Sequence, residues 1–409
     1  MNEQRLNRRQ FAGGAVLASA AGYGRVLGAN DRIRVAVIGC GGRGLLGEVL
    51  GARLDTNAEV VAICDTWRPQ REKAVAQVKE QTGKEPLAFI RFQDVLARKD
   101  IDAVLISTPD HLHCAMLIAA IKAGKDVYIE KPMAMNMEEL IAAVDVVKAS
   151  DRVVQVGTQI RSLPQAVAAR QFVASGGLGM RLKAEQSRNG YQPYWWPRGQ
   201  VPVQESDVDW DAFLLTRPRR PFNANLYAGW YGHREFSRGG HAGQGVHFFD
   251  LVHYVFNSGC PSRVVAMGGT FRWKGPYDAP DSIEVTLEYP EGFMVRYGQF
   301  FGLGAGNYLN FYGTRGAIDG ARWSWDGQWD ISGRGSNEPD RIPEGAKLPR
   351  AASVPHMKNF LECIRTRKQP NAPIDAGYSH SVAAIMADEA YLRGERLVYD
   401  AKTRSIRKG

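Results

Sequence analysis

A glycine-rich turn between an apolar run and a helical stretch constrains this chain more than any other feature. The sequence GCGGRG, residues 39–44, follows the apolar run at residues 33–38. In such a unit Gly39 makes the tight strand-to-helix turn, Gly41 lets the backbone approach a pyrophosphate, and Gly44 lets helix and strand pack closely. The helix N-terminus adds unpaired N–H groups and a positive dipole. The turn therefore predicts a dinucleotide site, with loop contacts from Gly39, Gly41, Gly42, Arg43 and Gly44.

Asp65 bears on which dinucleotide is bound. It follows the next apolar run, twenty-one residues after Gly44, where a carboxylate accepts hydrogen bonds from the hydroxyls of an adenosine ribose. Because a free carboxylate repels a 2′-phosphate, NAD is favoured over NADP. Arg68 lies on the same loop and can accept a phosphate, so NADP stays open as the alternative.

The first thirty residues differ in kind from the rest. NRRQF at residues 7–11 precedes a short run of Ala, Gly, Val and Leu at residues 12–21. We interpret residues 1–30 as a twin-arginine signal, which predicts a periplasmic or otherwise exported protein. A frayed amphipathic helix would need a polar face that this run lacks. A transmembrane anchor would need roughly 20 strongly apolar residues, so stable membrane insertion is not expected.

Composition bounds the remaining possibilities. A chain of 409 residues with 44% apolar content can build two domains. Four arginines and one glutamate in residues 1–30 account for +3 of the formal net charge of +9, so residues 31–409 carry +6. These residues show no basic stripe of the kind that binds nucleic acid, so nucleic-acid binding is not implied. The five cysteines lack metal or disulfide spacing. We predict no metal, and buried thiols at Cys40, Cys64 and Cys114.

Strand and helix patterns alternate from residue 31 to residue 152. A helix is expected to begin at Pro69 and end at Gly83, and another to begin with a cap at Asn136. This alternation predicts an α/β, doubly wound parallel sheet (a Rossmann domain) at residues 31–152. Its strands, apolar on both faces, are expected at residues 33–38, 60–64, 101–107, 126–129 and 153–156.

A different texture begins at residue 153. Apolar and polar residues alternate over residues 283–289, which is typical of a strand with one wet face in an antiparallel sheet. Residues 153–409 are therefore predicted to form an α+β domain with an open, mainly antiparallel sheet, which serves the substrate and a homodimer or homotetramer contact. A last helix pair, residues 354–366 and 378–393, is expected to pack back across the domains.

Two motifs follow predicted strands at the edge where doubly wound sheets bind ligands. Glu130-Lys131-Pro132 presents a lysine beside a carboxylate, and such an amine can have a pKa lowered into the general-base range. The alternative is an exposed loop lysine before a turn proline. In TPDHLH, residues 108–113, Asp110 can cap the next helix. One of its two histidines can face the cofactor, or both can face solvent.

The densest cluster of polar chemistry lies at residues 239–253. His247 and Asp250 recur at helical spacing and share one face of a helix. A glycine-rich approach brings His247 to the start of that helix, where its imidazole can exchange a proton with a sugar hydroxyl. A metal site from His241, His247 and Asp250 would have no recognised ligand spacing.

The sequence RNGYQPYWWP, residues 188–197, places aromatic residues beside polar ones. Such a segment suits stacking on a sugar face, and it equally suits a packed loop between domains. Arg161, in QVGTQIR, is a further candidate for the pocket. The candidate substrate contacts are Arg161, Arg188, Tyr191, Trp195, His241 and Asp250.

Taken together, these motifs resemble the Gfo/Idh/MocA oxidoreductases, which include glucose–fructose oxidoreductase and inositol dehydrogenase. The resemblance covers residues 31–400 and is carried by GCGGRG, STPDHLH, EKP, QVGTQIR, DWDAFLLTRPRRPFN, the His247 helix, FYGTRGAI and the closing HMKNFLECIRTRKQPNAPIDAGYSH. It implies that Lys131 assists proton transfer and that His247 is the catalytic histidine. It also implies a cofactor site lined by Thr108, Pro109, His113 and Glu130.

One position departs from the family pattern. Members often have an aspartate four residues before the histidine, as the second member of a proton relay, and this chain has Gly243 there. His241, Gln244 or Asp250 could substitute, or the chemistry is not a simple dehydrogenation. The members that hydrolyse N-acetylgalactosaminides differ around this helix, so their substrate is not favoured.

The sequence thus predicts an exported NAD(P)-dependent oxidoreductase that acts on a sugar, cyclitol or glycoside with a tightly bound cofactor. A redox-neutral glycosidase or lyase that works through a transient 3-keto sugar is the first alternative. A sugar-binding protein that keeps the fold without turnover is the second.

Overall fold

Strands that are buried on both faces build the first sheet, as a helix-covered parallel sheet requires. The computed structural model describes residues 31–320, 327 and 329–409, and the predicted signal at residues 1–30 lies outside them. The strand order β3-β2-β1-β4-β5-β6, with parallel neighbours, confirms the doubly wound fold. The elements are β1 (Ile33–Ile38), α1 (Leu45–Thr56), β2 (Ala58–Cys64), α2 (Arg68–Thr82), β3 (Leu87–Phe89), α3 (Phe92–Leu96), β4 (Ala103–Ile106), α4 (His113–Lys122), β5 (Asp126–Ile129), α5 (Met137–Lys148) and β6 (Val154–Val156).

The strand order reverses direction between β1 and β4, and this reversal positions the site. The chain leaves β1 toward β2 on one side, and β4 lies on its other side. The loops that follow β1 and β4 therefore diverge and leave a crevice at the carboxyl edge of the sheet. Ser107 stays close to this crevice, because its N–H donates to the carbonyl of Ile38 at 2.9 Å.

Local signals located most of these elements. The side chain of Asn136 accepts a hydrogen bond from the N–H of Glu139 at 2.9 Å, which confirms the predicted cap of α5. Gly83 ends α2 in the left-handed region, at φ 72°. The short strand β3 was not predicted, because Leu87 is exposed and the strand is only three residues long.

Among the residues that the structure describes, the second sheet has nine strands in the order β13-β12-β11-β7-β10-β9-β8-β14-β15. Strands β7 and β10 pair in parallel, and the other neighbours pair antiparallel, which confirms an open, mainly antiparallel sheet. The strands are β7 (Arg181–Ser187), β8 (Arg263–Gly269), β9 (Ser282–Tyr289), β10 (Phe293–Phe300), β11 (Tyr308–Gly313), β12 (Gly316–Asp319), β13 (Asp330–Ser332), β14 (Leu397–Asp400) and β15 (Ser405–Lys408).

Helices of the second half cover this sheet and connect it to the first. The nearly fully buried helix α11 (Gly245–Phe256) packs against α6 (Pro164–Ala174) and α13 (Ile374–Arg393). Helix α12 (His356–Thr366) packs against α1 of the first domain, as predicted for the closing helices. The last two helices begin at His356 and Ile374 rather than at 354 and 378, because Pro355 and Pro373 precede their first turns. The helices are α6 (Pro164–Ala174), α7 (Trp195–Arg198), α8 (Trp210–Leu214), α9 (Ala224–Ala228), α10 (Gly240–Gly243), α11 (Gly245–Phe256), α12 (His356–Thr366) and α13 (Ile374–Arg393).

Two further expectations concern burial. Cys40, Cys64 and Cys114 are free and buried, which confirms the predicted core thiols. Among residues 31–320, 327 and 329–409, no helix is both long and apolar enough to cross a bilayer.

Candidate active site

A cavity of about 570 Å³ opens at the carboxyl edge of the parallel sheet and is closed on its far side by the second domain. Most of the predicted cofactor residues line it. The side chains and loops of the first domain that reach it include Gly39, Gly41, Gly42, Arg43, Asp65, Thr108, Pro109, His113, Glu130 and Lys131.

The glycines of the loop divide their tasks differently from the prediction. Gly39 has φ +84°, and a Cβ there would lie 2.6 Å from the carbonyl oxygen of Ser107, so this glycine allows both the turn and the close packing. Gly44 has φ +80° at the start of α1, but a Cβ there would meet nothing within 4 Å. The role of Gly44 is therefore conformational, and its assignment to helix–strand packing was wrong. Gly41 faces open space, as a loop that takes a pyrophosphate requires.

Asp65 has the position expected of a ribose ligand. Its carboxylate accepts hydrogen bonds from the N–H groups of Cys40, at 2.8 Å, and Trp67, at 2.9 Å, and these bonds aim it into the cavity. Burial raises its pKa, and the two backbone donors oppose that rise. Arg68 instead points outward and pairs with Asp207 of the second domain. The loop therefore presents the Asp65 carboxylate to the ribose, while Arg68 is turned away from where a 2′-phosphate would lie. This arrangement fits NAD rather than NADP.

Glu130 is buried beneath the glycine-rich loop and is held by Arg43. The Nε of Arg43 donates to Oε1 of Glu130 at 2.7 Å, and its Nη1 donates to Glu48 at 2.7 Å. Burial raises the pKa of Glu130, while the Arg43 guanidinium opposes the rise. Gly157 makes room for this carboxylate, because a Cβ at 157 would lie 2.6 Å from its Oε1.

Lys131 reaches from the first domain to the second. Its Nζ donates to the carbonyl oxygen of Gly243 at 2.8 Å, so it is not the exposed loop lysine of the alternative interpretation. Burial lowers the pKa of its amine, and the carboxylates of Glu130 and Asp110 partly oppose that shift. The direction is the one expected of a general base near neutral pH.

The TPDHLH segment is buried rather than solvent-facing. His113 lines the cavity, and its ring nitrogens lie 2.7 Å from the carbonyl oxygen of Pro132 and 2.9 Å from that of Thr108. Burial lowers the pKa of His113 to about 4, so its ring is neutral. The ring of His111 contacts the carbonyl oxygen of Phe213 at 2.8 Å and holds the two domains together.

Asp110 was assigned to helix capping, and that assignment was wrong. Its carboxylate makes no cap; it accepts a hydrogen bond from the hydroxyl of Ser237 at 2.6 Å and lines the cavity. Burial raises its pKa to about 7, against the opposing effects of Ser237 and the Lys131 charge. A carboxyl group that titrates near neutral pH in a cleft is a candidate acid or base.

His247 lies one helical turn after Gly243 and is 4% exposed. Burial lowers the pKa of its imidazole well below the usual range, and the charges of Lys131 and Arg188 lower it further. Among the described residues, those that line the cavity include Gln244 of this segment but not His247. The catalytic role of His247 therefore stays a prediction.

Several candidate substrate residues pair with other polar side chains and do not line the described cavity. Arg161 donates to Asp250 at 2.6 Å, and although burial pushes the pKa of Asp250 up, this guanidinium holds it at about 2. His241 contacts Asp388 at 3.1 Å and is 1% exposed. These pairs fasten α11 and α10 to their neighbours.

The aromatic candidates also separate. Tyr191 is 77% exposed, whereas Trp195 is 1% exposed within an aromatic cluster, so neither reaches the described lining. Tyr194 and Tyr231 line the cavity in their place. Arg188 is not among the described lining residues, but its Nη2 donates to the hydroxyl of Tyr194, which lines the cavity, at 3.4 Å. Sequence reasoning missed Tyr231 because no local pattern joins it to the glycine-rich loop.

The described residues contain no group of three or more His, Cys, Asp or Glu side chains that could hold a metal ion.

Two family models match the chain. The model described as oxidoreductase family, NAD-binding Rossmann fold, matches residues 33–158, and the GFO/IDH/MocA C-terminal domain matches residues 215–319. A glycosyl hydrolase family 109 protein from Shewanella sp. (strain W3-18-1) is 36% identical over 119 residues. That match covers 28% of this chain and only 26% of the relative's length.

Solved structures share the whole fold at low sequence identity. The aldose–aldose oxidoreductase of Caulobacter crescentus, solved with glycerol, is 18% identical with a TM-score of 0.69, over 90% of this chain and 99% of that one. The WlbA dehydrogenase of Bordetella pertussis, solved with NADH and UDP-GlcNAcA, is 19% identical with a TM-score of 0.68, over 90% of this chain and 99% of that one.

Proposed function

The chain belongs to the Gfo/Idh/MocA oxidoreductase family, and on that premise we propose that it oxidises and reduces a sugar, cyclitol or glycoside at a CH–OH carbon. When bound, NAD accepts a hydride from that carbon or returns it. The glycine-rich loop at residues 39–44 would hold the pyrophosphate and Asp65 the adenosine ribose. Thr108, Pro109, His113 and Glu130 would contact the remainder of the cofactor.

The observation that carries the proposal is the position of Lys131. Its amine lies in the cavity, has a lowered pKa because of burial, and meets the second domain at Gly243. A neutral amine there can take the proton of a substrate hydroxyl as its carbon is oxidised, and the ammonium can return it on reduction. Tyr194, Trp230 and Tyr231 supply an aromatic wall of the kind that suits a sugar face.

We further propose that the cofactor stays bound through many turnovers. Arg198, Val201 and Val203 line the cavity, and we take the segment at residues 198–209, to which they belong, as a cover over the bound cofactor. The guanidinium of Arg198 approaches the phosphate loop, 4.0 Å from where a Cβ of Gly42 would lie. Release of a dinucleotide would require this cover to move.

The cover is attached to the first domain by contacts around the ribose loop. Trp67 and Val208 form an antiparallel β-bridge, and the N–H of Asp209 donates to the carbonyl of Thr66 at 3.0 Å. Arg91 also pairs with Asp209 at 2.8 Å. These contacts support slow cofactor exchange, because several of them must break together before the cover at residues 198–209 can move away from the cavity.

Slow exchange would suit an exported enzyme. Residues 1–30 carry the twin-arginine pattern, and that route moves folded proteins, so a loaded cofactor could travel with the chain. Where no external nicotinamide pool exists, a captive cofactor must be oxidised and reduced in turn by substrates. The similar fold of an aldose–aldose oxidoreductase supports such a cycle, in which one sugar is oxidised and another reduced.

Two measurements test this proposal in sequence. The chain is purified without added cofactor and denatured, and the released nucleotide is identified by mass spectrometry; we expect stoichiometric NAD. The intact protein is then mixed with aldoses, cyclitols and methyl glycosides while the near-ultraviolet absorbance of NADH is followed. Empty protein would refute cofactor retention, and a loaded protein that no compound reduces would refute the oxidoreductase assignment.

A second function is a redox-neutral glycosidase or lyase. Oxidation at C3 of a glycoside would acidify the C2 proton, and Asp110, with a pKa of about 7, is a base within the same cavity. The similarity to a glycosyl hydrolase family 109 protein favours this candidate. Product analysis separates the two functions, since net cleavage supports the lyase and a keto sugar without cleavage supports the oxidoreductase.

We also propose that the open sheet forms a subunit contact. Val265, Met267, Met294 and Phe300 are exposed on its strands, with Met267 80% exposed. The registers of β8, β9 and β10 place all four on one face of the sheet, although polar residues of β9 lie between them. Exposed apolar side chains on one face can mark an interaction surface. A homodimer or homotetramer would cover them.

A further inference from the structure

Gly243 and Tyr231 lie so close together that a side chain at 243 and the Tyr231 ring, which lines the cavity, would occupy the same volume. A Cβ built on Gly243 would lie 1.7 Å from the hydroxyl oxygen of Tyr231 and 2.6 Å from its Cζ. Any larger residue at 243 would therefore collide with this ring. The tyrosine hydroxyl occupies the place where the side chain of the family's relay aspartate would begin.

Tyr231 is built into the site rather than placed at its edge. It is 7% exposed and lines the cavity, and its ring packs against Trp195 and Trp230, with centroid distances of 5.9 and 5.3 Å. Its hydroxyl is buried and has no hydrogen-bond partner among the residues that the structure describes. Buried polar groups are normally satisfied, so this donor points to a ligand partner.

The same residue, Gly243, also joins Tyr231 to the proposed acid–base group. Lys131 Nζ donates to the carbonyl oxygen of Gly243 at 2.8 Å, while Tyr231 Oη abuts its Cα side. Both side chains line one cavity, together with Asp110 and Gln244. The hydroxyl and the amine thus both lie beside Gly243, and both side chains line the cavity in which a substrate would bind.

We propose that Tyr231 is a catalytic residue that donates a hydrogen bond to the oxygen of the reacting substrate carbon, in the place of the missing aspartate. This inference rests on the proposed oxidoreductase function. With NAD bound as the hydride acceptor, the substrate hydroxyl would lose its proton to the Lys131 amine as its carbon is oxidised, and Tyr231 would keep its own proton. The hydrogen bond stabilises the negative charge that develops on the substrate oxygen.

The surroundings suit a donor rather than a base. Burial raises the pKa of the Tyr231 hydroxyl well above its usual range, and the nearby Asp110 carboxylate raises it further. The hydroxyl therefore stays protonated at neutral pH. In this respect Tyr231 would differ from an aspartate, which accepts protons; Lys131 would have to act as the sole base at this point.

The first test replaces the hydroxyl alone. In Tyr231→Phe, we expect kcat for the sugar that reduces bound NAD fastest to fall on the order of 10²–10³-fold, as for loss of one oxyanion donor. KM, the bound NAD content and the calorimetric affinity for that sugar should change little. Tyr297→Phe is the matched control, because Tyr297 is also buried with an unpartnered hydroxyl among the described residues but does not line the cavity.

The second test exchanges the two side chains. Gly243→Asp alone should lose activity through the collision with Tyr231, and Tyr231→Ala alone should lose it through the missing donor. The double variant Gly243→Asp/Tyr231→Ala should fold and retain NAD, because the ring that collides with residue 243 is gone. Its activity should stay near that of Tyr231→Ala, because an ionised aspartate accepts hydrogen bonds and cannot replace the donor.

Three results would overturn the assignment. One is a Tyr231→Phe variant with the kcat of the wild type, and another is a fall of equal size in Tyr297→Phe. The third is a double variant that folds, retains NAD and regains the wild-type kcat, because an acceptor would then serve as well as the tyrosine hydroxyl. If the wild-type protein oxidises no compound of the panel, the proposed function itself is refuted and the assignment falls with it, which distinguishes the two failures.

Discussion

Asp110 offers the sharpest quantitative prediction, because its burial has a direct cost in stability. A carboxyl group whose pKa rises from 3.8 to about 7 on folding is harder to ionise in the folded state than in the unfolded one. At about 1.4 kcal/mol for each pKa unit, the ionised form destabilises the fold by roughly 4 kcal/mol. Below about pH 4 the carboxyl is protonated in both states and this cost is absent. As pH rises from about 4 to about 7, the unfolded state ionises more readily than the folded state, and the free energy of unfolding falls by this amount.

Replacing Asp110 with asparagine removes this charge and keeps an oxygen that accepts the Ser237 hydrogen bond. We expect Asp110→Asn to match the wild type at pH 4 and to exceed it in unfolding free energy by up to about 4 kcal/mol at pH 8. Urea unfolding across this pH range, followed by tryptophan fluorescence, measures the difference. Ser237→Ala is the informative companion, because loss of its hydrogen bond should raise the pKa of Asp110 and move the transition to higher pH.

Equal pH dependence in the wild type and Asp110→Asn would refute the reasoning, since the carboxyl would then titrate at an ordinary pKa. A variant that is less stable than the wild type at every pH would also refute it, because Asp110 would then contribute as a charge. The same series reports on function, because a lyase that uses Asp110 as its base should lose cleavage in Asp110→Asn while it still oxidises substrate.

The other predictions concern catalysis, retention and assembly. Lys131→Met should lower sugar-dependent NAD reduction on the order of 10²–10⁴-fold without loss of bound NAD, and an unchanged rate would exclude Lys131 as the base. Arg91→Asp should speed NAD release a few-fold, as expected for loss of an exposed ion pair, and the charge-swapped variant Arg91→Asp/Asp209→Arg should restore the wild-type release rate. The release rate is measured by NADH fluorescence. If both variants release NAD at the wild-type rate, this ion pair does not hold the cover. Met267→Glu should reduce the mass measured by light scattering to that of a monomer, whereas an unchanged oligomer would locate the subunit contact elsewhere.

Local sequence signals predicted much of the fold because they act over one turn or one strand. The run at residues 33–38, the glycine loop and Asp65 are adjacent to strand ends, and the carboxyl ends of parallel strands meet at one edge. Their meeting in one cavity therefore follows from the strand pattern alone. The cap at Asn136 and the closing glycine at 83 are equally local.

Residues of the second domain were harder to assign, because periodicity shows which side chains share a face but not what lies opposite. The spacing of His247 and Asp250 was read correctly as one helix, yet Asp250 turns to Arg161. His241 looked available for substrate, but Asp388 comes back to it from a helix more than a hundred residues later. A long-range ion pair leaves no mark in local spacing.

The amino-acid sequence by itself determined the dinucleotide unit, its preference for NAD and the lysine at the sheet edge, since each depends on residues next to a strand. Only the tertiary structure decided how the second half completes the site. It brought Ser237 of the second domain onto Asp110 of the first, which is distant along the chain, and it placed Tyr231 in the volume left by Gly243. The absence of a side chain at 243 was visible in the sequence, but which group fills that space depends on how the second domain folds, because the chain must turn back between Tyr231 and Gly243 to bring the ring there.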